Sequence, residues 1–388
     1  ADTTMKKILA QIKEKLGDLK AKLKKTWQWL VDECKKFKMN IIPLLIYECL
    51  YFCVGTFGVY PGTRMLINGT LSLLHLNFVE GSNLAAAVKN PIFDVVALGA
   101  IIVLVYYTMV EYVAIITCFN ESRNQRKVYT WPLIKYSLRR ALAVFKPKNF
   151  QFVLLIILAF PLTDVGLTSN FMKEWSLPEF IMSYIKDNPL LFAGFIATIL
   201  LLIFKVFQFL FIFHYYTLDQ PEFKSAAGKS KELIKGRLFS TAGLYMTADM
   251  IIAFVSFVSM LLLMGFLTLI NNTNIIENLI AGANLEMHSI VFLGGLSGIV
   301  SVISTIISIV NLPFILMILS ACFYHACDEK RCPISTDPRF TIKPERFWTR
   351  NRQIVALCLM FVAVLSFKTF SILNLYNENA AGNMAHKT

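Results

Sequence analysis

The sequence predicts an all-α integral membrane protein: about seven transmembrane helices plus interfacial amphipathic helices, arranged as three parallel two-span repeats and one extra crossing. Three observations lead there. Hydrophobic residues make up 56% of the 388 positions and charged residues only 16%, which is too apolar for a soluble domain of this length. Several apolar runs exceed the ~20 residues that a helix needs to cross a bilayer. Lys and Arg are confined to the segments between those runs, so the net charge of +13 reads as topology information and not as a nucleic-acid groove with interleaved aromatics.

Residues 1–38 form the first unit. Met5-Lys6-Lys7 looks like a natural start, which sets Ala1 to Thr4 aside as extraneous to the fold. Ile8, Ile12, Leu16, Leu19, Leu23, Trp27 and Leu30 share one helical face, while 6–38 carries eleven Lys against Glu14, Asp18, Asp32 and Glu33. A lysine-rich amphipathic helix of this kind is expected to lie on anionic lipids of the cytosolic leaflet. A solvated coiled-coil arm is the competing reading.

The multi-pass domain is expected over 39–376. A first span at about 40–60 contains Glu48; after Pro61-Gly62, the stretch 64–78 is short and polar enough to be interfacial or re-entrant. The second span, 91–119, opens on Asn90-Pro91, contains Glu111 and runs into a basic cytosolic loop from Arg123 to Lys148 that holds an amphipathic helix. A third span follows at about 150–168, then a short outer helix through Leu177, Phe180, Ile181, Tyr184 and Ile185. Asn188-Pro189 opens the fourth span, to Tyr216, with Lys205 about midway and His214 near its end.

The rhythm then repeats. A basic segment at 221–237 leads to a fifth span at about 240–270 and an outer helix through Ile275, Ile276, Leu279 and Ile280. The apolar region 287–327 would measure about 60 Å as one helix, so an interfacial first part and a crossing bent near Pro313 are expected. A seventh span at about 353–375 leaves 377–388 as an extracellular tail or linker. Each repeat comprises an inner amphipathic helix, a span, an outer helix and a returning span, which makes the copies parallel.

The sequence offers no Gly-rich phosphate loop, His-Glu-x-x-His or Gly-x-Ser-x-Gly. Cys322, His325, Cys327, Asp328 and Cys332 cluster at a membrane boundary without the spacing of a zinc site, and the eight cysteines read as thiols. Ionisable residues within or near spans carry more weight: a charge near the midplane costs about 2.5–3.5 kcal/mol, so it faces the bundle interior, pairs, or lines a wet cavity. The candidate headgroup- or phosphate-binding residues are therefore Lys205, Glu111, Glu48 and His214, with Lys205 attracting phosphate and a carboxylate binding hydroxyls or holding the lysine. Structural ion pairs between helices are the competing reading, and Asp164, Asp249 and Lys368 suit an interface.

Several stretches carry a family resemblance: Pro43-Leu44-Leu45-Ile46-Tyr47-Glu48, Glu111, Lys146-Pro147-Lys148-Asn149, Leu177-Pro178-Glu179-Phe180-Ile181, Asn188-Pro189, and Leu218-Asp219 through Ser225-Ala226 to Lys235-Gly236-Arg237. Together they resemble the membrane domain of bacterial membrane-anchored glycerophosphodiester phosphodiesterases over about 25–370. The resemblance implies a plasma-membrane location and an extracellular TIM-barrel hydrolase in cis, using a His-Arg motif, acidic ligands and a divalent metal. That barrel is absent from this chain, so no catalytic residue and no cofactor is assigned; His386 matches the family motif too poorly to carry a role. The expected function is to anchor such a hydrolase and to feed it lipid-derived glycerophosphodiester. A transporter of a lipid or phosphate-bearing solute, and a scaffold for partner proteins, are the alternatives. Membrane lipids are expected partners, nucleic acid is not, and self-association is left open.

Overall fold

The computed structural model describes residues 31–74, 90–159, 187–219, 222–270 and 287–330, with isolated positions at 17, 24, 27–29 and between 352 and 362. Everything described is helical or a connecting turn. The helices are α1 (Ile41–Val54), α2 (Tyr60–Leu73), α3 (Pro91–Arg123), α4 (Thr130–Ala141), α5 (Phe150–Ala159), α6 (Pro189–Gln208), α7 (Ile212–Leu218), α8 (Phe223–Ile234), α9 (Leu238–Ile270) and α10 (Met287–Lys330). Among the described residues three stretches are long and apolar enough to span a bilayer: Trp27–Leu73, Pro91–Arg123 and Thr305–Lys330. The outer helices expected near 177–185 and 275–280, and the tail 377–388, lie outside the described residues, as does most of the seventh span.

Both Asn-Pro pairs start helices, for a local reason. The Asn90 side chain accepts the Ile92 N–H at 3.0 Å, and that of Asn188 accepts those of Leu190 and Leu191 at 3.2 and 3.4 Å. The proline that follows has no N–H to leave unpaired and its φ is already helical. At its other end α3 closes with a Schellman pattern: Arg126 N–H donates to Glu121 O and Gln125 N–H to Ser122 O, with Gln125 in the left-handed region at φ 55°.

α3 is the axis of the molecule. From Met109 to Ser122 it is buried on every side, its mainly apolar surface interrupted by Glu111, Thr117 and the polar Asn120–Ser122 end. Packed against it are α1, α4, α7 and α10, and their large side chains (Tyr47, Leu133, Phe211, Tyr216, Phe323, Tyr324) form one continuous core. Towards its start α3 instead exposes Ile92, Val95 and Leu98, and α9 exposes Met250, Phe254 and Phe257, surfaces suited to lipid.

Three sequence expectations change. The chain does not break after Pro61-Gly62: α1 continues into α2 through a π-helical turn, Gly55–Val59. That turn shifts the hydrogen-bond register just before Pro61, where the missing N–H would otherwise orphan a carbonyl inside a regular helix. The region 287–330 is one helix of 44 residues containing Pro313, without the expected separate interfacial part.

The third change is in the expected fourth span, which is broken at 209–211, between α6 and α7. Ser230 of α8 enters the gap, its Oγ accepting the Phe211 N–H at 3.2 Å and donating to Gln208 O at 3.1 Å. The interruption is thereby hydrogen-bonded from outside the helix, the condition for a break in apolar surroundings.

Candidate functional site

Two acidic residues meet at the α1–α3 interface. Glu48 comes from the middle of α1 and Glu111 from the buried part of α3; they are 2% and 5% exposed. Their carboxyl groups lie close enough to interact electrostatically, and Tyr51 lies beside Glu111. Among the described residues neither carboxyl forms an ion pair with Lys or Arg. One Glu48 oxygen, Oε1, has no hydrogen-bond partner.

The neighbours are phenols. Tyr51 lies three residues after Glu48 and Tyr107 four before Glu111, so helical spacing puts both beside the pair, and Tyr47 adjoins Glu48 in the chain. Tyr51 and Tyr107 stack with ring centroids 3.9 Å apart. Their hydroxyls exchange bonds across the interface, Tyr51 donating to Tyr107 O at 3.1 Å and Tyr107 to Tyr51 O, while Tyr47 donates to Val110 O at 3.1 Å. The phenolic protons are thus committed to backbone carbonyls.

Two neighbouring carboxyl groups can share a proton, since a protonated one donates and an ionised one only accepts. The arrangement is a carboxyl pair that can share one proton, with an unused oxygen on Glu48 and phenol oxygens around it. Chemically it can hold a proton, or accept from the hydroxyls of a polyol that reaches it.

The other two sequence candidates sit elsewhere. His214 is fully buried between α7 and α10, its Nε2 2.9 Å from Ser320 Oγ and its ring stacked on Phe323, with Nδ1 unpartnered. Lys205 is exposed in the last turn of α6 and not at mid-span, because the helix ends at Gln208. A cation there complements the helix C-terminus. Among the described residues no ion pair links it to either glutamate.

Near the end of α10, His325 faces Glu329 at 3.4 Å and Trp29 at 4.8 Å, and Cys327 Sγ lies 3.9 Å from the Tyr215 hydroxyl. Among the described residues no three His, Cys, Asp or Glu side chains converge as a metal ligand set. Sequence reasoning named the glutamates but missed their tyrosine partners, which the three- and four-residue spacings within each helix were enough to find. Ser230 and Ser320 carried no such signal, since each is matched to a residue about a hundred positions away or on another helix.

No curated protein and no solved structure gives a significant match to the chain. A family model does, described as the membrane domain of glycerophosphoryl diester phosphodiesterase, and it covers residues 30–366. That range takes in the axis helix, the carboxyl pair, the broken span and the helices packed on them, and this chain therefore belongs to the family of glycerophosphoryl diester phosphodiesterase membrane domains.

Proposed function

We propose that this chain anchors an extracellular glycerophosphodiester hydrolase domain and presents lipid-derived glycerophosphodiester to it. Membership of the family over residues 30–366 is the observation that carries the reading. In the full arrangement the chain crosses the bilayer about seven times as three two-span repeats plus one, with residues 1–38 on anionic lipid of the cytosolic leaflet and 377–388 outside. Any divalent metal belongs to the attached hydrolase.

Within the membrane, Glu48 and Glu111 receive the hydroxyl groups of the substrate's glycerol. A buried carboxyl pair with a spare acceptor oxygen supports this role, because a polyol hydroxyl would satisfy the group now left without a partner. Lys205 and His214, placed apart from the pair, contribute no contact to this binding step in the proposal.

Equilibrium binding tests it. Wild-type chain in nanodiscs is expected to bind radiolabelled glycerophosphoglycerol saturably. A folded Glu48→Leu/Glu111→Leu variant is expected to bind at least about tenfold more weakly, the effect of losing one or two hydrogen bonds to charged or polyol groups. Wild-type affinity in that variant would refute the assignment.

A second reading, translocation of a lipid or phosphate-bearing solute, is favoured by the broken span at 209–211, since discontinuous helices are a feature of transporters. Uptake of the same compound into proteoliposomes separates the two: the anchor reading expects binding without flux.

A further inference from the structure

The loop that follows α3 is electrostatically one-sided. Between Glu121 and Asp164 there is no acidic residue, while Arg123, Arg126, Lys127, Lys135, Arg139, Arg140, Lys146 and Lys148 are all basic. α4 lies in the middle of this stretch, and its attachment is firm. Arg140 donates to Tyr216 O at 2.7 Å and to Asp219 O at 2.5 Å, Tyr216 donates back to Arg140 O at 2.7 Å, and Tyr106 donates to Leu138 O at 3.1 Å. Leu133, Ser137 and Ala141 are completely buried beneath it.

So held, α4 cannot roll to hide its opposite face. That face carries Trp131 and Leu138, and Leu142, the first residue of the 3-10 turn that follows, continues it; they are respectively 53%, 39% and 56% exposed. At about 100° per residue these three fall within roughly 40° of one another, a single apolar stripe. Lys135 and Arg139 lie along one flank, and Lys146 follows in the next turn; all three are exposed. The Lys135 ammonium is 5.4 Å from the centre of the Trp131 ring.

A helix with one face on protein, a second apolar face and a basic flank between them has the three surfaces of an element lying at the edge of a bilayer: protein, acyl chain and headgroup. We infer that the outward face of α4 is a binding site for anionic phospholipid, with Trp131, Leu138 and Leu142 on the acyl chains and Lys135, Arg139 and Lys146 on the phosphates. Charge complementarity selects the occupant, because a stretch without a single carboxylate favours an anionic surface over a zwitterionic one. The site uses neither the lysine-rich N-terminal segment nor the carboxyl pair. It requires only that the chain is embedded in a membrane, so its failure would leave the proposed anchoring and presentation roles standing.

The experiment uses the full chain in phosphatidylcholine nanodiscs containing brominated lipid, brominated either as phosphatidylglycerol or as phosphatidylcholine at equal fraction. The Trp131 signal is the fluorescence difference between the wild type and Trp131→Phe. Stronger quenching by brominated phosphatidylglycerol is expected. In Lys135→Gln/Arg139→Gln/Lys146→Gln the preference is expected to disappear while quenching by phosphatidylcholine persists; the substitutions are all at exposed positions, and the persisting signal reports a folded chain. Equal quenching by both lipids in the wild type would overturn the anionic assignment. No quenching by either would place Trp131 away from lipid, and if accompanied by crosslinking of two chains through α4 it would assign the face to a second copy instead.

Discussion

Gly55 lacks a side chain where Tyr107 fills the space: a Cβ there would collide with the phenol hydroxyl and sit 3.1 Å from both the Tyr107 ring and the Tyr60 ring. Gly55→Ala is expected to destabilise the protein by about 1–3 kcal/mol, the range for overpacking a tight site. Tyr107→Phe in the same chain removes the colliding oxygen and is expected to recover part of that loss, a coupling measurable by a double-mutant cycle in thermal unfolding. The glutamates themselves were legible in the sequence, since an ionisable residue in a span announces itself. Their pairing was not: nothing in residues 189–216 marks where the helix ends, so Lys205 read as a mid-span charge that Glu48 or Glu111 could hold. Glu111→Gln keeps a hydrogen-bonding group at the pair and is expected to cost less stability than Glu111→Leu, which leaves Glu48 without its partner, at about 1–3 kcal/mol.

Among the elements, the broken span shows most clearly what hydropathy misses. Residues 209–211 are Phe-Leu-Phe, with neither glycine nor proline, and the break exists because a serine from α8 supplies the hydrogen bonds the helix gives up. Ser230→Ala is therefore expected to destabilise the α6–α8 region by about 1–3 kcal/mol by stranding a buried N–H and C=O. Faster amide exchange confined to 205–218 would register it; unchanged exchange there would mean that the break does not depend on the serine. The Asn-Pro helix starts were legible because capping is local, whereas the π-helical turn at 55–59 was not, since Pro61-Gly62 reads as a stop unless the shifted register before it is known. At the end of α3 the signal runs the other way: Gln125 sits at φ 55°, a conformation glycine adopts freely. Gln125→Gly is expected to raise stability by up to about 1 kcal/mol, read as a higher midpoint in the same unfolding assay.

For the whole molecule, composition and the alternation of apolar runs with basic segments were enough to place the chain in a membrane, and the scattered motifs were enough to name its family. The order in which helices pack was not accessible: α3 is the axis, buried on every side over its second half, but the helices that surround it come from positions spread from Tyr47 to Tyr324. The proposed anchoring of an extracellular hydrolase requires the C-terminus outside, and the proposed seven crossings put the N-terminus on the cytosolic side. Epitopes placed at each end of the chain in intact cells, probed before and after permeabilisation, measure this directly. The account predicts that the C-terminal epitope is accessible in intact cells and the N-terminal one only after permeabilisation; a C-terminal epitope detected only after permeabilisation would contradict it.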